Sequence, residues 1–245
     1  DGVDVSARDG FGHHGRRLGL GLGFPLARLG VAIGRFPAAL GLQNRGLLGA
    51  LGAGDGRLLL AVGLSDDGAA FDREITDFVD AAGVPLVFGA YDIDAAGEYN
   101  AAAFIAPGAP PLGFYRKTRL FLLTEYMPQW LERLGLRRAL PWAGAWQKGG
   151  GARVMPLRLA DGREVPVQVL ICLDDVDPGL AIDGARLGAE VLLGMSNDSW
   201  FTRHPLGAQL HLQVAAFRSI ETRLPQLRVT SNGTSAAVDA TGTIT

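Results

Sequence analysis

The chain is short of cysteine and has no excess of either charge. Its one cysteine is Cys172. A single thiol excludes an internal disulfide framework and any zinc cluster built on cysteines. Lys and Arg number 23 against 25 Asp and Glu, a formal net charge of −2. Without a basic surplus there is no electrostatic footprint for nucleic acid. Histidine is also sparse, at His13, His14, His204 and His211. None stands in an HExxH-type spacing, and no metal or organic cofactor is implied. Uncharged apolar runs never reach the length of a membrane-spanning helix. No signal peptide is evident. The first residue is Asp rather than Met and the last is Thr245, so the segment reads as a piece of something longer.

What is present is ordinary globular material. Of 245 residues, 48% are apolar and 20% charged, enough to bury a sizeable core. The texture is not uniform. Nearly half of the 35 glycines precede Ala70, mixed with Leu, Ala and Arg. Glycine at that density weakens helix and strand alike. GLGLG in this stretch lacks the GxxxxGK[ST] pattern of a phosphate loop and has no strand before it. Residues 1–57 therefore read as a Gly/Arg/Leu-rich leader, poorly ordered, and residues 58–245 as one globular domain.

From Arg57 onward, strand-length apolar runs alternate with helical patterns, which signals an α/β arrangement. LLLAVGL (58–64) predicts a buried strand. Phe71, Ile75, Phe78, Val79 and Ala82 fall at spacings of three and four, one face of a helix that Gly83 is placed to end. VPLVFGAY (84–91) and EYNAAAFIA (98–106) predict a hairpin. PVQVLICL (166–173) is a strand that runs into DDVDPGL, where Pro178 suits a helical first turn. EVLLGMS (190–196) is a further strand. A helix over 206–222 sets Leu210, Val214, Phe217 and Ile220 on one face. LRVTS (227–231) and SAAVDA (235–240) are strands around the turn at Asn232–Gly233.

In an open α/β sheet, reactive groups gather beyond the carboxyl ends of strands. Cys172 closes such a strand, where backbone N–H groups or a cation can activate a thiol. A lone cysteine is more often a small buried hydrophobe. Lys117, beside two arginines in FYRKTRLFLLTEYMP, reads by itself as a solvated cation. Glu125, eight residues on, reads by itself as a surface acid or cap. SNDSWF (196–201) reads as a capped loop, and Arg218 with Glu221 as an i,i+3 pair on a helix surface.

Taken together and in order, YRKTRLFLLTEYMP, VLICLDDVDP, NDSWF and QLHLQVAAFRSIETRLPQLRVTSNGTSAAVDATGTI resemble the nitrilase-type carbon–nitrogen hydrolase domain. More narrowly, they are similar to the periplasmic domain of the bacterial apolipoprotein N-acyltransferases. The resemblance covers roughly residues 71–245. It implies a four-layer α-β-β-α sandwich, incomplete at both ends, and a catalytic set of Glu, Lys and Cys. Cys172 matches the nucleophile, Lys117 the lysine, and Glu125 a second acid of the acyltransferase branch. Asp174 stands where that branch usually has Glu, and is read as holding the loop or the lysine. The implied donor is a phospholipid acyl chain and the implied acceptor the N-terminal diacylglyceryl-cysteine of an apolipoprotein. The implied location is the bacterial inner membrane, with the catalytic domain facing the periplasm and the membrane helices absent from this chain.

One part of the pattern is missing. The family's general-base Glu normally ends the first long strand within a Trp-Pro-Glu segment. Here LLLAVGL is followed by SDDGAA, so Asp66 and Asp67 are the neighbouring acids, and neither matches residue by residue. Two accounts of the abrupt change are a shifted reading frame upstream of Phe71 and genuine divergence; translating that DNA in the other two frames decides between them. Two other readings stand beside the acyltransferase: a soluble amidase acting on a small amide, and a non-catalytic remnant without its base. The Trp-rich stretches PQWLERLG and PWAGAW read either as an arm that dips into the membrane or as ordinary loop packing.

Overall fold

Alternation at period two builds two sheets. The computed structural model describes residues 30–34, 48–53, 56–61, 68–109, 113–201 and 203–245, with side chains from residue 75 onward. The first sheet has six strands in sequence order. They are β1 (Gly30–Gly34), β2 (Leu48–Ala53), β3 (Gly56–Ala61), β4 (Leu86–Asp94), β5 (Gly97–Ile105) and β6 (Gly113–Arg116). Its pairings are antiparallel except β3 with β4, which the helix α1 (Gly68–Ala82) connects as a parallel crossover. β1 and β2 fall within residues 1–57.

The second sheet has the order β11-β10-β9-β8-β7. Its strands are β7 (Val154–Arg158), β8 (Glu164–Ile171), β9 (Val191–Asn197), β10 (Gln226–Ser231) and β11 (Ala236–Val238). β8, β9 and β10 run parallel, joined by α3 (Pro178–Arg186) and α4 (Pro205–Thr222). A short α2 (Gln129–Arg133) lies in the long connection between the sheets.

The two sheets pack face to face. Val87, Ala102, Phe104 and Tyr115 of the first meet Val167, Val169, Ile171, Leu193, Met195, Leu227 and Val229 of the second. The alternate residues face outward onto helices. Leu86, Phe88, Ala103 and Ile105 pack on Ile75 and Val79 of α1. Leu170 and Leu192 pack on Leu180 and Ala181 of α3. Helix, sheet, sheet and helix make the four layers that the resemblance implied.

One helix turns a face that the periodicity did not favour. In α4 the buried residues are Leu212, Ala215, Ala216, Arg218 and Ser219, while Leu210 and Phe217 are more than half exposed. The reason lies on β10, where Gln226, Arg228 and Thr230 all point away from the apolar interface and are fully buried. Such a surface accepts small and polar partners rather than large apolar ones. Arg218 does pair with Glu221 at 3.0 Å, as expected, but it is buried rather than on the surface.

Leu193 has no exposed area between the sheets. Leu193→Ala should cost about 2–5 kcal/mol in chemical denaturation, whereas Phe217→Ala on the open face should stay within about 0.5 kcal/mol.

Candidate active site

Three chain segments converge at one end of the sandwich. β6 ends at Arg116, so Lys117 is the first residue past the strand. Its backbone N–H donates to the Asn100 carbonyl at 2.8 Å and its carbonyl accepts from Gly149 N–H at 2.8 Å. A side chain at position 149 would bring its Cβ within 2.1 Å of the Arg116 carbonyl oxygen, so only glycine permits that approach. The Lys117 side chain is buried, and its Nζ lies 2.7 Å from both carboxylate oxygens of Glu125. Glu125 accepts also from the Phe121 backbone N–H at 2.8 Å and from Asn100 Nδ2 at 3.2 Å. A buried ammonium is tolerable when it is paired and its partner is fixed by further hydrogen bonds.

β8 delivers the thiol. The strand ends at Ile171, and Cys172 opens a 3-10 turn with φ of 51°. That left-handed conformation is strained for a residue with a side chain. Asp174 supports it. Its Oδ2 accepts from Ile171 N–H at 3.0 Å and from the Tyr115 hydroxyl at 3.2 Å. Its Oδ1 accepts from the backbone N–H groups of Arg119 at 2.7 Å and Thr118 at 3.2 Å. One carboxyl thus grips the Cys172 turn and the loop after Lys117 together. Burial pushes Asp174 up to about 7, against the Arg119 and Ile171 N–H groups that favour its ionised form.

Cys172, Lys117 and Glu125 line one cavity of about 350 Å³. Most of its other walls are apolar, from Phe121, Leu173, Val176, Trp200, Phe201, Leu210 and Val214. Burial pushes the Cys172 thiol above its ordinary value, while the Lys117 charge and the Ser196 hydroxyl pull it back toward the thiolate. Asp66 and Asp67 lie outside the described residues. Trp130 and Trp142 are exposed, whereas Trp146 stacks edge-on against Tyr91 at 5.1 Å.

Behind the thiol sits a buried polar network that inspection of single motifs did not assign. Arg228 pairs with Asp175, and its Nη2 lies 3.5 Å from Asp198 Oδ2. His211 Nδ1 lies 2.9 Å from Asp198 Oδ1, which also accepts from the Ser196 hydroxyl at 2.6 Å. Burial pushes His211 down, but Asp175 and Asp198 reverse this and raise it to about 9. Burial pushes Asp198 up, but His211, Ser196 and Arg228 hold it below its ordinary value. Gly233 has to be glycine here, since a Cβ would fall 2.2 Å from Asp198 Oδ2. A sequence signal existed: Gln226, Arg228 and Thr230 are polar at period two in a strand that carries Leu227 and Val229 between them. Among the described residues no group of His, Cys, Asp and Glu is arranged to hold a metal ion.

The profile of the carbon-nitrogen hydrolases matches residues 68–245. The chain belongs to that family. Its relatives narrow the likeness. It is 32% identical over 177 residues to apolipoprotein N-acyltransferase 2 of Treponema denticola, covering 71% of this chain and 34% of that protein. It is 35% identical over 173 residues to the apolipoprotein N-acyltransferase of Caulobacter vibrioides, covering 67% of this chain and 31% of that protein. The chain therefore spans about a third of the length of the curated relatives it matches. Among solved structures it is similar to Nit3 of Saccharomyces cerevisiae, a nitrilase-superfamily member, at TM-score 0.50 and 16% identity, covering 75% of this chain and 62% of that one. It is similar also to an amidase of the same superfamily from Nesterenkonia AN1, at TM-score 0.50 and 16% identity, covering 71% and 61%. These last two speak for the fold alone.

Two outcomes follow from the charges. Glu125→Ala leaves the Lys117 ammonium buried without its partner and should cost about 3–5 kcal/mol in equilibrium unfolding; Glu125→Gln, which keeps the Phe121 contact, should cost less. Because His211 is raised from 6.5 to about 9, its contribution is complete below pH 6.5 and lost as pH climbs through 9. Unfolding free energy should therefore fall across that window, and the fall should flatten in His211→Gln.

Proposed function

We propose that this chain is the catalytic domain of an apolipoprotein N-acyltransferase, with Cys172 as nucleophile, Lys117 as the oxyanion-facing cation and Glu125 as the acid that holds the lysine. The observation that carries the reading is the cavity. A thiol and a buried ammonium open together into a space with almost wholly apolar walls. Its volume of about 350 Å³ lies within the roughly 300–1,000 Å³ usual for small-molecule sites. A polar amide has little to recognise on such walls, whereas a fatty acyl chain has much.

In the first half-reaction a base takes the Cys172 proton; among the described residues Glu125 is the carboxylate on the cavity, and Lys117 holds both its oxygens. The thiolate attacks the ester carbonyl of the phospholipid, forming the carbon–sulfur bond. The carbon–oxygen bond breaks, and the departing lysophospholipid alkoxide receives the proton. In the second half-reaction the α-amine of the diacylglyceryl-cysteine attacks the thioester. The carbon–nitrogen bond forms, the carbon–sulfur bond breaks, and the thiol regains a proton from the amine. The Lys117 ammonium and the Leu173 backbone N–H stabilise the oxyanion in both steps, each donor contributing about 3–4 kcal/mol. Splitting acyl transfer into two such steps predicts ping-pong kinetics.

No helix among the described residues is long and apolar enough to cross a membrane. Attachment to the inner membrane comes in this reading from segments outside the chain, and the domain faces the periplasm. The apolar side chains exposed at or beside the cavity, Phe121, Leu122, Val176, Trp200 and Leu210, support an approach to lipid from this side.

The test uses the single thiol. Incubation with a short-chain phospholipid analogue should add one acyl mass to the chain, removed by hydroxylamine and absent in Cys172→Ser. Lys117→Ala should slow acylation by about 10²–10³-fold, as expected for one lost oxyanion donor. An unmodified Cys172 in an otherwise folded wild-type chain points to the non-catalytic remnant and overturns the proposal.

A further inference from the structure

The proposed chemistry makes no use of His211, although α4 places it on the same cavity as Cys172. Its side chain is only 10% exposed. Nδ1 lies 2.9 Å from Asp198 Oδ1, and Nε2 lies 3.4 Å from both Asp175 Oδ2 and the Cys172 carbonyl oxygen. A carboxylate oxygen and a carbonyl oxygen only accept, so both ring nitrogens must donate. Arg228 Nη2, 3.0 Å from Nδ1, would favour a neutral ring instead. Charge balance decides between them. Asp175 and Asp198 are fully buried carboxylates that face a single buried guanidinium. One carboxylate would be left uncompensated in a dry interior unless the ring is an imidazolium.

Outside this quartet the ring packs edge-on against Phe201 at 6.1 Å and reaches the Cys172 carbonyl through Nε2. That carbonyl belongs to the residue held at φ of 51°. Asp174 secures the N-terminal side of the strained residue through Ile171 N–H. From the helix layer, Nε2–H reaches across to its C-terminal side.

We propose that His211 is a positioning residue for the nucleophile: its Nε2–H holds the Cys172 carbonyl, and with it the left-handed turn that presents the sulfur to the cavity, while Asp175, Asp198 and Arg228 fix the ring. The groups facing the ring are those three, the Cys172 turn and, across the cavity, Lys117 and Glu125. The inference rests on the reading of Cys172 as the reacting thiol, yet its test needs no acyl donor.

Because the chain has one cysteine, iodoacetamide alkylation followed by mass spectrometry reads a single sulfur. Rates would be measured from pH 5.5 to 10.5 on the chain and on two variants. His211→Leu removes charge and donor, and His211→Gln keeps one N–H that can still reach the carbonyl. His211→Leu should alkylate about tenfold more slowly at pH 7, the effect of about one hydrogen bond, and His211→Gln should recover to within about threefold. All three profiles rise as the thiol ionises, so the rates are compared as ratios: the wild-type rate over that of each variant should be largest below pH 9 and fall toward one above it, where the ring loses its proton. If His211→Leu does not melt cooperatively, the His211→Gln profile decides alone. Equal rates in all three chains, or a wild-type to variant ratio that does not change across pH 9, overturns the proposal. The two readings fail separately. A wild-type thiol that takes no acyl group but depends on His211 for alkylation sinks the acyltransferase reading and leaves this one standing. Acylation at equal rates in every variant does the reverse.

Discussion

The carboxyl of Asp174 is the constraint on which the site depends. It accepts from the end of β8 with one oxygen and from the loop after β6 with the other. Those two places belong to different sheets, and apolar packing alone does not register one sheet on the other to within a hydrogen bond. Four donors around one buried carboxyl do. Through that group the Lys117 ammonium and the Cys172 thiol come to share a cavity, and the strain at Cys172 is held by contacts rather than relaxed.

A second cost is met on the helix side of the second sheet. Burying two carboxylates, a guanidinium and an imidazole is unfavourable unless each is paired. The quartet of Asp175, Asp198, His211 and Arg228 draws its members from the turn after β8, the turn after β9, α4 and β10. Asp175 and Asp198 arrive just past the carboxyl ends of parallel strands, Arg228 from within β10 and His211 on the covering helix. Room for it comes from Ala215, Ala216 and Ser219 facing inward. Leu210 and Phe217 stand on the open face of α4, and Leu210 lines the cavity.

Periodicity made most of the second sheet legible: VQVLI, VLLGM and LRVTS alternate or run apolar over strand length, and glycines and prolines punctuate them. The same reasoning misjudged α4, because the apolar stripe from Leu210 to Ile220 is the stronger pattern and the true inner face is small and polar. A hydrophobic pattern reports which residues prefer burial, not which face a buried arginine on the neighbouring strand requires. For the site, Cys172, Lys117 and Glu125 could be singled out only by resemblance. Each is a common residue type with a bland explanation, and their spacing in sequence carries no geometry.

By itself the sequence determined the class of fold, the places where strands give way to loops, and the single sulfur available for covalent chemistry. These are local matters of period, turn residue and composition. Which charges would be buried together was settled by the tertiary structure. The meeting of His211 with Asp175, Asp198 and Arg228 joins residues up to 53 positions apart, and an ion pair across that distance exists only once both sheets and α4 have closed over it.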